Sequence, residues 1–376
     1  MHVGWHGHLY GLDFLRFIAA ALVVVFHFGL IAHSVAAQPG AGPDRLHIDA
    51  WVHFGWVGVQ VFFVLSGFVI AFSAQLATPW KFFVSRFVRL APGVWVCAPL
   101  SLLATQLTGT STLGSHVEQF VNSLVFNPFG PWIEISYWTL GIEVSFYAVV
   151  LMLITLGKSA GMRTLAIIIG NISAAFWIVS STVGFEADFP GFAALHWFAN
   201  ERISSLLLVQ HGCFFAVGMM LWSALIARRN SLRSDLAWMS LFAMAACLQI
   251  ASQCRQYNGI LSTSHSWVVP CLVWLAAMGC IVLSVTFNLS ISHRARPAAV
   301  MLGRMVFPLY LTNFNVSRGV LHVLSTWHVP DGIAMVLCFA IVLALALAIA
   351  VGLERPLQVA TRSLLMQLRT RRPAPG

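Results

Sequence analysis

Charge is scarce in this sequence. Of 376 residues only 9% are Asp, Glu, Lys or Arg and 59% are apolar, whereas a soluble domain carries roughly 25% charged residues. That deficit excludes an ordinary soluble enzyme. Paired cysteines are missing too: the seven cysteines, at 97, 213, 247, 254, 271, 280 and 338, lie almost all inside apolar runs and never as C-x-x-C, which supports neither a zinc site nor a disulfide framework. Each reads as a small buried hydrophobe. His2, His6 and His8 have no organised partner set, and no metal is expected. The net charge of +9 has no basic stripe on a soluble face to go with it, so nucleic acid is excluded as a partner.

What the chain has is apolar runs long enough to cross a bilayer. The first, from Leu12 to Val35, exceeds the ~7–15-residue core of a signal peptide and is followed by no clean cleavage site. With a window of ~19 residues, further spans fall near 51–77, 90–108, 138–157, 164–184, 203–226, 236–253, 266–287, 301–325 and 332–353. The expected fold class is therefore all-α, a polytopic membrane bundle of about ten helices.

Basic residues test that count, because cytoplasmic loops are enriched in Lys and Arg. With the N-terminus inside, Lys81, Arg86, Arg89, Lys158, Arg163, Arg228, Arg229, Arg233, Arg294, Arg296, Arg304, Arg355, Arg362, Arg369, Arg371 and Arg372 fall on the cytoplasmic side, 16 of 21. Only Arg45, Arg202 and Arg255 fall opposite, with Arg16 and Arg318 inside spans. Both termini are thus expected to be cytoplasmic. Residues 1–356 form one membrane domain, and 357–376 read as an irregular basic tail against anionic lipid. The outer loops 37–49, rich in Pro and Gly, and 185–201, with three acidic residues, are too short to be domains. No internal repeat is apparent, which weighs against a transporter built from duplicated halves.

Ionisable groups inside spans cost ~2.5–3.5 kcal/mol on insertion scales, so they are functional candidates. Arg16 and His27 are eleven residues apart, which returns them to within about 20° of one helix face, about 16 Å apart along the axis. The bland alternative is a snorkelling arginine and a histidine satisfied in a helix contact. Glu143 follows Tyr137-Trp138 in the fourth span and needs a partner such as His27, or water. Arg86 and Arg89, spaced i, i+3, have guanidinium forks suited to phosphate, although topology alone explains most interfacial arginines. Ser66-Gly67 interrupts a bulky helix, where small residues usually serve close packing. His53, His211, Arg318 and Asn313 are weaker candidates, each read first as a helix-contact residue.

In order along the chain, these segments resemble the acyltransferase-3 family of integral membrane acyltransferases. The likeness rests on Leu12-Asp13-Phe14-Leu15-Arg16 leading to His27; Gly58 to Phe68, ending Leu65-Ser66-Gly67-Phe68; Arg86-Phe87-Val88-Arg89-Leu90-Ala91-Pro92; Tyr137-Trp138-Thr139-Leu140-Gly141-Ile142-Glu143; Phe307-Pro308-Leu309-Tyr310-Leu311; and Glu354-Arg355-Pro356. It implies transfer of an acyl group, commonly acetyl from acetyl-CoA as donor substrate, to a hydroxyl of a cell-surface glycan or glycoside, in a bacterial inner membrane. It further implies catalytic roles for His27, Glu143 and Arg16, with His27 as base and Glu143 orienting it, and donor binding by Arg86, Arg89, Ser66 and Gly67. Tyr137, Trp138, Tyr310 and Asn313 complete the pocket.

Two positions depart from the family. Thr312-Asn313 stands where many members have a His, and Gln60 where members often carry an acidic residue. An extra hydrolase-like domain after the last span is not expected, and delivery to the acceptor is then expected to fall to the membrane domain or to a partner. Partners implied are acyl-CoA, the glycan acceptor, membrane lipids and, for assembly, a second copy or envelope-polysaccharide proteins. Two other classes compete: a transporter of an anionic or acylated molecule, which would move its cargo without consuming acyl-CoA, and a scaffold, which would tolerate alanine at Arg16, His27 and Glu143.

Overall fold

A bilayer offers the backbone no hydrogen-bond partner, so apolar runs of this length close their bonds internally as helices. The computed structural model describes residues 9–36, 53–108, 113–183, 197–198, 201–227, 232–287 and 294–370. Among these there is no strand. The helices are α1 (Tyr10–Ala36), α2 (Gly58–Ala74), α3 (Pro79–Leu107), α4 (Leu113–Leu124), α5 (Trp138–Thr155), α6 (Met162–Val183), α7 (Arg202–Leu206), α8 (Gly212–Trp222), α9 (Leu232–Leu261), α10 (Val268–Thr286), α11 (Arg296–Thr326), α12 (Asp331–Ile349) and α13 (Arg355–Thr370). The N-terminal histidines, the 37–49 loop and most of the 185–201 loop lie outside the described residues.

Eight of these helices, α1, α2, α3, α5, α6, α9, α10 and α12, are long and apolar enough to cross a membrane. The other two expected spans differ from them in kind. Helix α8, with the wide turn Ser223–Ala227 after it, is short but buried at every one of its eleven residues. Helix α11 is long, 31 residues, and carries Arg296, Arg304 and Arg318.

Helix α8 is the hub of one half of the bundle, packed on α2, α6 and α9; in the other half α11 packs on α1, α3 and α12. Glycine permits the tightest contact. A Cβ on Gly67 would collide with the carbonyl of Phe215, and one on Gly218 with the carbonyl of Val64, so α2 and α8 meet backbone to backbone. This is how membrane helices gain contact without a hydrophobic driving force. Large apolar side chains such as Ile168, Leu272, Leu283 and Val336 stay exposed on the perimeter, as a lipid-facing surface requires.

Three expectations need correction. Helix α3 begins eleven residues before position 90, because Thr78 caps its N-terminus, accepting from the Lys81 N–H at 3.4 Å, and Pro79 takes the first turn. Helix α2 runs through Ser66-Gly67 without interruption. The tail is helical to Thr370: Leu357, Leu364 and Leu368 share one face and Arg355 and Arg362 the opposite one, the pattern of an amphipathic helix.

The stretch between the third and fourth spans folds back into the bundle. Helix α4 returns along α3, with Gln106 bonded to His116 at 3.2 Å and the Trp95 indole N–H donating to the Leu124 carbonyl at 3.4 Å. Trp95 lies sixteen residues into α3, about 24 Å along its axis, so residues 125–137 lie at membrane depth, irregular up to a single 3-10 turn at Ile135–Tyr137. Backbone of that kind survives only when its polar groups find protein partners or a cavity. Here the Trp132 indole donates to the Asn127 carbonyl at 2.6 Å, the Asn122 amide to Gly130, the Ile133 N–H to Ser123, and Arg202 to Pro128 at 2.9 Å and to the Trp138 carbonyl.

Gly218→Leu should keep α2 and α8 apart and abolish a monodisperse peak in detergent size exclusion; a variant that melts and elutes as the parent would refute the backbone contact.

Candidate functional site

The basic end of the bundle opens into a cavity of about 490 Å³ lined by Asp13, Arg16, Arg89, Arg304, Phe307, Glu354, Arg355, Gln358 and Arg362. Five guanidinium groups face two carboxylates there. Arg16 is oriented by Asp13 one turn earlier, at 3.1 Å. Helix α13 supplies Arg355, Gln358, Val359 and Arg362 to this wall, the i, i+3, i+4, i+7 face of a helix. The tail is therefore part of the cavity.

From this cavity a narrow space of about 50 Å³ leads inward, sharing Arg89, Val306 and Phe307 with it and adding Phe62, Ser66, Thr139, Glu143 and Tyr310. Ser66 Oγ donates to Glu143 Oε1 at 3.0 Å, and the Tyr147 hydroxyl donates to the same oxygen. Arg86 goes elsewhere. Its guanidinium lies over Phe82 and Tyr147, 5.7 and 5.8 Å from the ring centroids, beside a separate apolar groove with Phe83, Phe87 and Leu151. Three residues of helix turn the two arginines about 60° apart, enough to send them to different cavities.

Beyond the narrow space stands a polar layer. His27 is buried on α1, and its Nδ1 is bonded to Asn313 Oδ1 on α11. The Asn313 amide nitrogen donates to the Tyr310 carbonyl at 2.8 Å, which turns the amide oxygen toward the imidazole. An amide oxygen accepts, so Nδ1 carries a proton, and in the neutral imidazole the lone pair is on Nε2. The same Tyr310 carbonyl accepts from Ser136 Oγ at 3.0 Å, while the Tyr310 hydroxyl pairs with Thr139 Oγ1 at 2.9 Å. Glu134, fully buried, reaches into α11 and accepts from the N–H groups of Phe314 and Asn315 at 2.6 and 3.2 Å. A carboxylate on two successive backbone N–H groups is the arrangement of a helix N-terminus; here it occurs within a helix, one residue after Asn313.

On the far side of this layer lies a third cavity of about 680 Å³, lined by Thr105, His116, Gln119, Trp132, Glu134, Trp138, Phe314, Asn315 and Arg318. Phe314 forms part of its wall and packs edge-on against the His27 ring at 5.5 Å. The far cavity thus reaches His27 through Phe314, while the narrow space reaches Tyr310, whose carbonyl holds the Asn313 amide that is bonded to His27.

The sequence model of the acyltransferase-3 family, described as an acyltransferase domain, matches residues 9–355. This chain belongs to that family. Among curated proteins it is similar to a putative membrane-bound transacylase, BcsY, of Komagataeibacter xylinus, 25% identical over 56% of this chain and 50% of that protein. It also resembles the peptidoglycan O-acetyltransferase OatA of Listeria monocytogenes, 26% identical over 37% of this chain and 23% of that one, and the exopolysaccharide production protein ExoZ of Rhizobium meliloti, 34% identical over 26% and 34%. The chain spans half or less of the length of these relatives. No solved structure matches.

Against the family pattern, the structure brings Arg16, Arg89, Ser66, Glu143 and Tyr310 onto two connected cavities, with Trp138 on the far one. Glu143 is not bonded to His27; its partners are Ser66 and Tyr147, and the histidine is oriented instead by Asn313, the departure from the family's usual histidine. Gly67 serves the α2–α8 contact and lines none of the cavities described, and Tyr137 is packed in the core. Five residues were not singled out as site residues by the sequence reading. Arg304, Arg355 and Arg362 were absorbed by the topology signal, Asp13 by its distance from any span centre, and Glu134 by a turn-rich stretch. Only the oddity of an acidic residue among Pro131, Trp132, Ile133 and Ile135 could have marked the last.

Removing the Glu134 carboxylate takes the acceptor from two buried N–H groups. Glu134→Ala should lower stability by ~1–3 kcal/mol, read as a drop in melting temperature of the purified protein; an unchanged melt would mean the carboxylate does not hold α11.

Proposed function

We propose that this chain is a membrane O-acyltransferase that takes an acyl group, acetyl in the first instance, from acyl-CoA and places it on a hydroxyl of a cell-surface or secreted polysaccharide or glycoside. The observation that carries this reading is the arginine-lined cavity at one end of the bundle, set opposite a second cavity whose wall residue Phe314 packs on the buried, Asn313-bonded His27. By the bias of basic residues, the arginine-lined end faces the cytoplasm of a bacterium, where acyl-CoA is made.

Arg16, Arg89, Arg304, Arg355 and Arg362 take the phosphates of CoA, since guanidinium forks bind phosphate oxygens in pairs. Asp13 and Glu354 keep the empty cavity from being uniformly cationic. The pantetheine arm then enters the narrow space between Ser66, Glu143 and Tyr310 and carries the thioester toward His27. The acceptor hydroxyl attacks the thioester carbonyl carbon while Nε2 of His27 takes its proton. The carbon–sulfur bond breaks, and the imidazolium returns the proton to the CoA sulfur. General-base assistance of this kind is worth typically 10²–10⁴-fold. Asn313 fixes the tautomer, as the carboxylate does in a catalytic triad, without supplying its charge. Names of relatives such as peptidoglycan O-acetyltransferase and exopolysaccharide production protein support a saccharide acceptor.

Membranes bearing the protein should move label from radiolabelled acetyl-CoA into a saccharide fraction, and His27→Ala should cut the rate at least ~10²-fold with expression intact. Full activity in that variant would remove His27 from the chemistry. Flux of a solute without consumption of acetyl-CoA would support a transporter instead. Arg304→Ala and Arg362→Ala should raise the KM for acetyl-CoA and leave kcat nearly unchanged, because they remove uniform binding; a fall in kcat at constant KM would contradict their placement on the CoA phosphates.

A further inference from the structure

The far cavity has a composition that neither a lipid tail nor a metal ion would use. Two indole rings, Trp132 and Trp138, share its wall with Gln119, His116, Asn315 and Arg318. No cluster of metal-ligating side chains occurs among the described residues. Its volume of about 680 Å³ falls in the ~300–1,000 Å³ range of small-molecule sites.

The indoles are held in place. Trp132 spends its N–H on the Asn127 carbonyl at 2.6 Å, and the Arg202 guanidinium lies 5.2 Å from the Trp132 ring and 6.0 Å from that of Trp138. Arg202 is in turn fixed by the Pro128 and Trp138 carbonyls. Rigid aromatic faces with spaced hydrogen-bonding groups match one class of ligand: a sugar ring, which has an apolar C–H face and a rim of hydroxyls.

We infer that this cavity is a saccharide subsite, in which a pyranose ring stacks on Trp132 and Trp138 and hydrogen-bonds to Gln119. The inference rests on the proposed acyl transfer and says where the acceptor sits. Its orientation follows from the floor of the cavity. Phe314 and Glu134 close that floor, and the Glu134 carboxylate is committed to backbone N–H groups, so the hydroxyl to be acylated points past Phe314 toward His27.

The test uses the full chain in nanodiscs and titrates it by calorimetry with cellotriose, maltotriose and a galacturonate trisaccharide, and separately with CoA. At least one saccharide should bind, and Trp132→Ala and Gln119→Ala should each weaken it about tenfold or more, with Trp132→Phe recovering part of the loss. CoA affinity should be unchanged in all three variants, which also shows that they are folded. Binding of no saccharide by a protein that binds CoA, or saccharide affinity indifferent to both alanine variants, would overturn the subsite and leave the acyl-transfer reading standing. Failure to bind CoA as well would instead remove the reading on which the subsite rests.

Discussion

The bond between His27 and Asn313 is the constraint around which the interior is arranged. Neither residue is charged, yet each must be kept in one orientation in an apolar bundle, and each relies on a further partner to do so. Asn313 is turned by the Tyr310 carbonyl, that carbonyl is also held by Ser136, and the backbone just beyond is gripped by Glu134. The segment that provides Ser136 and Glu134 can lie at that depth because α4 leads it back along α3 and Arg202 satisfies its carbonyls. A buried polar network of this sort is stable when every member is satisfied and costly when one is lost.

Helix α11 shows the competing demands most clearly. It contributes Arg304 and Phe307 to one cavity, Tyr310 and Asn313 to the layer, and Phe314, Asn315 and Arg318 to the other. One helix therefore sets the register of all three zones. Its three arginines make it less apolar than its neighbours, and it is held by packing on α1, α3 and α12.

Much of this was legible in the sequence, for identifiable reasons. Apolar runs and the one-sided distribution of arginine report directly on insertion, so the helical membrane fold could be read before any contact was known. Arg16, His27 and Glu143 stood out because charge inside a span is rare. The pairing of those groups was not legible. Which carboxylate serves which partner depends on how α1, α5 and α11 rotate against one another, and no periodicity encodes that. Glu143 thus seemed the natural mate of His27, whereas a neutral Asn313, first noticed as a mismatch, fills the place. Arg304 and Arg362 illustrate the reverse case: residues with a sufficient topological explanation hid a second use.

The thin polar layer between the two cavities has an electrical consequence. Most of a membrane's voltage falls across whatever remains dry and apolar, and with water-sized spaces reaching in from both ends that region is reduced to the shell around His27, Tyr310 and Phe314. In the proposed reaction the phosphates of the donor stay in the arginine cavity and only an uncharged acyl group passes the shell. No net charge then crosses the field, and the direction of transfer is set by the chemical potentials of thioester and ester alone, independent of the polarisation of the membrane.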